Sequence, residues 1–335
     1  FYNDEIVVDG DGRVSGTVHV LFDVPVDLVK GKTTVAYEQL FDNLDAGAGA
    51  RLIDKHEDIN DEGQTVTFPQ IHTTATDATT GQHVGNANDS TIISDEVSYE
   101  NLTVGETYTV SGVLMDKSTG EPLRDENGES IGASTTFIPE GDSGSFVSGS
   151  VIVSFDVRKD IIEGRSTVVF ENLYHGEVVT EDKLIADHRD INDENQEVDY
   201  PRVRTTATVD DKHEAATSHD TVLIDKVSYD NLVPGQRYRV DGTIVDKNSG
   251  ELISDANGNA IVANAEFIAE DTSGYVNVEF RFDSSELFQH KTVVFEKLYQ
   301  LDGGLLGGSS ELLVGHHEDI NDNGQTVEFN VDGLA

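Results

Sequence analysis

Apolar and polar residues alternate in short runs along the whole chain. Val18, Val20 and Phe22 form one run, Val151, Val153, Phe155 and Val157 a second, and Val276, Val278, Phe280 and Phe282 a third. A period of two puts these side chains on one face of a strand, so each run reads as a half-buried β-strand. Turn chemistry separates the runs at Asp9-Gly10-Asp11-Gly12, Asn127-Gly128 and Asn257-Gly258. No apolar run follows a 3.6-residue period for the length of a helix; only short helical turns are expected near Arg158–Glu163 and Ser284–Phe288. Many short strands without long helices predict an all-β chain of tandem Ig-like β-sandwich domains.

The pattern also recurs. His56-Glu57-Asp58-Ile59-Asn60-Asp61-Glu62-Gly63-Gln64 returns as His188-Arg189-Asp190-Ile191-Asn192-Asp193-Glu194-Asn195-Gln196 and as His317-Glu318-Asp319-Ile320-Asn321-Asp322-Asn323-Gly324-Gln325, at offsets of 188 − 56 = 132 and 317 − 188 = 129. Thr34-Val35-Ala36-Tyr37-Glu38 returns as Thr167-Val168-Val169-Phe170-Glu171 and Thr292-Val293-Val294-Phe295-Glu296. Two blocks occur only twice: Thr73-Thr74-Ala75-Thr76 with Thr205-Thr206-Ala207-Thr208, and Asp95-Glu96-Val97-Ser98-Tyr99-Glu100-Asn101-Leu102 with Asp225-Lys226-Val227-Ser228-Tyr229-Asp230-Asn231-Leu232. Residues 1–69 therefore read as the C-terminal part of a truncated repeat, and 70–201 and 202–335 as complete repeats. Pro69 and Pro201 stand at the junctions, where a stiff extended link is expected. A repeat of about 130 residues is too long for a solenoid unit and fits an independent domain. Half a sandwich, by contrast, leaves strand edges open.

Each complete repeat points polar groups at its own core. Glu171 shares a strand face with Val169 and Leu173, and Glu296 with Val294 and Leu298. Asp95 lies with Ile93 and Val97, Asp225 with Leu223 and Val227. Gln196 lies with Val198 and Tyr200, and Gln325 with Val327 and Phe329. Thr73 lies with Ile71 and Ala75, and Thr205 with Val203 and Ala207. The truncated repeat keeps Glu38, His56 and Gln64 but lacks the Thr and Asp blocks. Burying two carboxylates without a cation is costly, so such a pair is expected to share a proton or stay neutral. A hydrogen-bond network that fixes register is the plainer use of these groups.

Composition narrows the choices. With 22 basic and 64 acidic residues, a net charge of −42, the chain lacks the basic clusters that nucleic acid or anionic membrane requires. No apolar stretch approaches the length of a membrane span, and residues 1–5 show no signal-peptide pattern, so the chain is expected to be a mature piece or a fragment. There is no cysteine, so any covalent staple must be something other than a disulfide.

Threonine, histidine, two carboxyls and glutamine suggest one reaction. A histidine takes the threonine proton, the hydroxyl attacks the glutamine carboxamide, and a neutral carboxylic acid stabilises the oxyanion. The product is a Thr–Gln ester, with ammonia released. The blocks Thr-Thr-Ala-Thr, Asp-x-Val-Ser-Tyr, Val-Val-Phe-Glu and His-x-Asp-Ile-Asn-Asp-x-x-Gln together resemble the ester-bond (VaFE-type) repeat domains of Gram-positive surface adhesins, and the resemblance runs over essentially the whole chain. It implies an Ig-like sandwich with a spontaneous ester between a first-strand Thr and a last-strand Gln. Carried over, Thr73 would bond to Gln196 with Asp95, Glu171 and His188 assisting, and Thr205 to Gln325 with Asp225, Glu296 and His317 assisting. Glu38, His56 and Gln64 would be an orphan site. The resemblance also implies an extracellular location on the bacterial cell wall. The expected role is a structural stalk, with neighbouring repeats as partners, no cofactor and no metal.

Four rivals deserve weighing. The repeats differ in one loop, which runs from His175 toward Asp182 in the second and from Gln300 to Glu311 in the third, so a module that binds a host glycan or protein through its loops is the main alternative. A Thr-His-Asp hydrolase would need an accessible cleft, whereas these residues are expected inside. Asp58-x-Asn60-x-Glu62-Gly63 starts like a calcium loop, but its twelfth position is Pro69, not Glu. A Lys–Asn isopeptide would need an inward lysine, and Lys183, Lys247 and Lys291 fall near turns or strand edges.

Overall fold

A computed structural model describes residues 2–42, 51–303 and 309–331. The described chain is built of strands and the loops that join them, with only single turns of helix. Two of these, Lys159–Ile162 and Ser285–Leu287, fall where short helical turns were expected. The described residues fall into two compact units: one within 1–71, 99–106 and 138–149, the other within 72–98, 107–137 and 150–335.

The first 69 residues supply three hairpin-like pairs. They are β1 (Tyr2–Val8) with β2 (Val14–His19), β3 (Thr33–Val35) with β6 (Thr65–Thr67), and β4 (Glu38–Phe41) with β5 (Leu52–His56). Large apolar side chains of this segment stay exposed. Phe22 is 63% accessible and Leu40 60%, whereas their counterparts one repeat later, Phe155 and Leu173, are 1% and 0%.

The second repeat contains β7 (Gln70–Asp77), β8 (Thr91–Thr103), β9 (Tyr108–Asp116), β10 (Gly132–Phe137), β11 (Phe146–Val157), β12 (Arg165–His175), β13 (Leu184–His188) and β14 (Glu197–Tyr200). One sheet runs β11-β8-β7; the other runs β10-β9-β12-β13, with β14 also on β12. The third repeat contains β15 (Arg202–Thr208), β16 (Glu214–Ala216), β17 (Thr221–Asp230), β18 (Arg237–Asp246), β19 (Val262–Ile268), β20 (Gly274–Phe282), β21 (His290–Gly303), β22 (Ser309–His317) and β23 (Thr326–Val331). Its sheets run β15-β17-β20 and β16-β23-β21-β18-β19, with β22 on β21.

The core of the third repeat lies between those two sheets. Val203, Leu223 and Phe280 from the smaller sheet pack in one cluster with Val240, Leu298 and Phe329 from the larger. Apolar residues at every second position of strands in both sheets supply this core, so the tandem all-β sandwich reading holds. The turns follow the residues that mark them. Asp125 accepts the backbone N–H groups of Asn127 and Glu129, each at 2.9 Å, and Gly128 takes φ +82°, a left-handed conformation that glycine adopts without a Cβ penalty.

Candidate functional site

Strand alternation turns Thr73 of β7, Asp95 of β8 and Glu171 of β12 into the second sandwich. Gln196 joins them from a 3-10 turn, Glu194–Gln196, that feeds β14. The glutamine thus sits one element earlier than the last strand expected from sequence. The cause is local: the Asp193 side chain accepts the Asn195 N–H at 2.9 Å and caps the turn. Asp95, Glu171 and Gln196 are fully buried and Thr73 is buried, while Thr74 faces out.

The Gln196 carboxamide bridges the set. Its Nε2 contacts Thr73 Oγ1 and donates to Glu171 Oε2 at 3.0 Å. Gln196 Oε1 has no hydrogen-bond partner, nor do Glu171 Oε1 and both oxygens of Asp95 meet a fixed N–H or O–H donor. The Thr74 backbone N–H faces Asp95 without closing a normal hydrogen bond. Burial pushes the Asp95 carboxyl up, against the hydrogen bond with Glu171 and the nearby His188 charge, which pull the other way. Burial, and then the Asp95 charge, push Glu171 well above the usual carboxylate range. The two carboxyls approach closely enough to hydrogen-bond to each other, which requires that one carry a proton.

His188 ends β13 directly across from Glu171. It is half-buried, and its Nε2 lies 2.8 Å from Asp193 Oδ2. Burial works against the Asp193 charge, but the Asn195 N–H and the His188 ring outweigh it and hold this carboxyl below the ordinary range. Across β12 on the other side, Gly112 of β9 pairs with Glu171. A Cβ at Gly112 would stand 2.6 Å from Phe155 Cζ and 2.8 Å from Glu171 Oε1, so only glycine leaves room for the buried carboxyl.

The third repeat assembles the same residues. Asp225, Glu296 and Gln325 are fully buried and Thr205 is buried. Gln325 Nε2 donates to Glu296 Oε2 at 2.5 Å and to the Val294 carbonyl at 2.6 Å. Thr205 Oγ1 faces Glu296 without closing a normal hydrogen bond. Burial raises Asp225 and, with the Asp225 charge, raises Glu296 well above its usual value. His317 lies across from Glu296, 2.8 Å from Asp322, and Gly242 again pairs with the glutamate. In the first 69 residues Glu38 pairs with His56, and Gln64 Nε2 donates to Glu38 Oε2. His56 contacts Asp61 at 2.6 Å, and this half-site is open to solvent on its histidine side.

A family model, the T-Q ester bond containing domain, matches residues 3–68, 69–200 and 201–329. The chain belongs to that family. Two structures of a bacterial adhesin from Mobiluncus mulieris containing intramolecular disulfide, isopeptide and ester bond cross-links are similar in fold. One is 13% identical over 79% of this chain and 97% of its own, with TM-score 0.32; the other is 14% identical over 74% and 93%, with TM-score 0.31. A glycosyl hydrolase family 2 member from Bacteroides cellulosilyticus is 11% identical over 66% of this chain and 28% of its own, with TM-score 0.26. No curated relative matches. In the second repeat the Thr73 and Gln196 side chains touch, whereas in the third Gln325 contacts Glu296 and the Val294 carbonyl and Thr205 faces Glu296.

Lys183 and Lys291 are exposed, and Lys247 Nζ donates to Thr326 Oγ1 at 2.8 Å near the surface. Among the described residues no cluster of three or more His, Asp or Glu is arranged to hold a metal. The aspartates that open the calcium-like loops cap turns, Asp58 accepting the Asn60 N–H and Asp319 the Asn321 N–H, each at 2.9 Å. The loop from Gln300 to Glu311, named above as a candidate contact site, lies outside the described residues over 304–308.

The raised carboxyls set a pH dependence in protein that lacks the crosslink. Both are raised above their unfolded values, about 4, so the folded state binds more protons than the unfolded. Their stabilising contribution is full below about pH 4 and is lost as pH rises through the folded-state values. Comparing Thr73→Ala with Thr73→Ala plus Glu171→Gln isolates the effect from the many other acids. The single variant is expected to lose denaturant stability relative to the double as pH rises from 4 to 8; a difference that is flat or grows the other way contradicts the shared-proton reading.

Proposed function

We propose that residues 70–201 and 202–335 are two folding units, each closed by an autocatalytic ester, Thr73–Gln196 and Thr205–Gln325. The observation that carries this reading is the Gln196 carboxamide lying against the Thr73 hydroxyl beside the buried Asp95–Glu171 pair. Thr73 Oγ attacks Gln196 Cδ. The Oγ–Cδ bond forms, the Cδ–Nε2 bond breaks, and the hydroxyl proton leaves with the nitrogen as ammonia. His188, steadied by Asp193, relays that proton; the shared proton of the carboxyl pair hydrogen-bonds to Oε1 as negative charge develops there. Oε1 has no partner before reaction, so this bond is gained on the way to the transition state. Burial between the sheets excludes the water that would hydrolyse the ester. Asp225, Glu296 and His317 play the same parts for Thr205 and Gln325.

The set turns over once per repeat, so the chain modifies itself and is not an enzyme acting on others. With the resemblance of its blocks to adhesin repeats, this makes the chain a stalk segment of a Gram-positive cell-surface adhesin, attached to the wall and partnered by its neighbouring repeats. No described helix is long and apolar enough to cross a membrane. The intact mass of the denatured protein tests the chemistry. It is expected to fall short of the sequence mass by two molecules of ammonia, with linked peptides joining the Thr73 and Gln196 regions and the Thr205 and Gln325 regions. An unaltered mass would reduce the inward residues to a buried network and favour the loop-binding module.

A further inference from the structure

The block that supplies the buried aspartate also carries, next to its last residue, an asparagine that the ester chemistry does not use. Asn101 and Asn231 both adopt φ +63°, a left-handed conformation that a side chain adopts at some cost. Each asparagine reaches back to the end of the preceding repeat. Asn101 Nδ2 donates to the carbonyl of Phe68 at 3.2 Å. Asn231 meets a cross-strand pair of the second repeat: Ser166 of β12 and Asp199 of β14 face each other in the ladder, the Ser166 hydroxyl donates to Asp199, and Ser166 Oγ lies 3.1 Å from Asn231 Oδ1. Ser166 Oγ is also placed to donate to Asn231 Oδ1, and the buried Asn231 Nδ2 faces Asp199 without closing a normal hydrogen bond, so the asparagine amide addresses both members of the pair.

Other contacts cross the same junction. His316 Nδ1 of the third repeat lies 2.9 Å from Asn86 Oδ1 of the second. Val84 of the second repeat packs against the core cluster of the third. Within the second repeat the Gly164 N–H holds the carbonyl of Tyr200, next to the connecting Pro201, at 2.7 Å, and across the junction Gly164 lies so near Arg202 that a Cβ there would press on it at 3.3 Å. An extended link alone would let two sandwiches swivel. Here, hydrogen bonds and apolar packing grip both sides of it.

We propose that Asn231 is a joint residue, pinning the third repeat to the Ser166–Asp199 pair of the second so that the two sandwiches keep one fixed orientation. The recurrence of the left-handed asparagine at Asn101, again bonded to the preceding repeat's last strand end, makes it a device of the repeat rather than an accident of one junction. The joint is independent of the ester, since none of its residues belongs to either site.

The chain has no cysteine, so spin labels can be placed at will on Ser134→Cys and Asn264→Cys, exposed positions on β10 and β19. Pulsed dipolar spectroscopy on the full chain is expected to give one narrow distance distribution. Asn231→Gly keeps the left-handed backbone and removes only the side chain; Ser166→Ala removes its partner. Each is expected to broaden the distribution at least twofold, and the double variant no further than either single. Intact mass and thermal melts confirm that both sandwiches remain folded and show separately whether the esters form. A distribution already broad in the parent, or one as narrow in both variants as in the parent, overturns the joint.

Discussion

Replacing Glu171 by alanine is expected to leave Thr73 and Gln196 unjoined while Thr205 and Gln325 crosslink as before, so that the protein loses one ammonia instead of two. Glu171 does three things at once. It accepts from Gln196 Nε2 at 3.0 Å and so orients the carboxamide; it faces Asp95 closely enough to share a proton; and it lies across the ladder from His188. Removing it strips the acyl carbon of its positioning group and leaves Asp95 without a second carboxyl to hold its proton. Loss of one oxyanion donor costs roughly 10²–10³ in rate, and the lost positioning adds to that, so crosslinking in the second repeat should slow by at least about 10³. Glu171→Gln separates the roles, because it keeps a group that can accept from Gln196 and donate to Oε1 but cannot pool a proton with Asp95. It should form ester slowly rather than not at all. If Glu171→Ala matured at the parent's rate, the carboxyl pair would have no part in the chemistry.

The choice of Glu171 for that experiment could be made from sequence, because period-two alternation alone puts it with Val169 and Leu173. The same reasoning turned Thr73 in and Thr74 out and placed Asp95 and Asp225 inside. Face arguments work for these residues because a strand offers only two faces and one is visibly apolar. They fail where a role depends on register between distant strands. Gly112 matters because it pairs with Glu171, some sixty positions along the chain, and no local pattern encodes that pairing. A signal existed, since Val110-Ser111-Gly112 aligns with Val240-Asp241-Gly242. The histidine partners, which the face argument does not reach, also carry a signal. The spacing His56–Asp61, His188–Asp193 and His317–Asp322 is constant, and each pair is joined in the structure. Alternation that continues through Gln196-x-Val198-x-Tyr200 reads the glutamine as a strand residue. A capped 3-10 turn also points its last residue inward, and periodicity cannot tell the two apart.

Pulling the chain from its two ends should show the second large effect. In the parent, force enters the second repeat through β7 and leaves through β14, and the ester between Thr73 and Gln196 would join those strands at the core. The stretch from one to the other, 196 − 73 = 123 residue steps, would then lie outside the load path, and none of that length should be released. Thr73→Ala removes the nucleophile at the cost of a few buried atoms. Unfolding its second repeat should free about 400 Å of contour, at roughly 3.4 Å per residue, less the folded span. The third repeat of the same molecule, still closed between Thr205 and Gln325, serves as an internal control and should stay short. Thr73→Ala plus Thr205→Ala should then give two such steps. Thermodynamics moves in the same direction: by the chain-entropy model for a crosslink spanning a loop of this size, each lost ester costs on the order of 5 kcal/mol. Hydrogen bonds in the two sheets remain in every variant, so the contrast isolates the covalent path. A parent that lengthened like the variants, even with its mass short by two ammonias, would mean that the esters stabilise the fold without carrying the load, and the stalk reading would lose its mechanical basis.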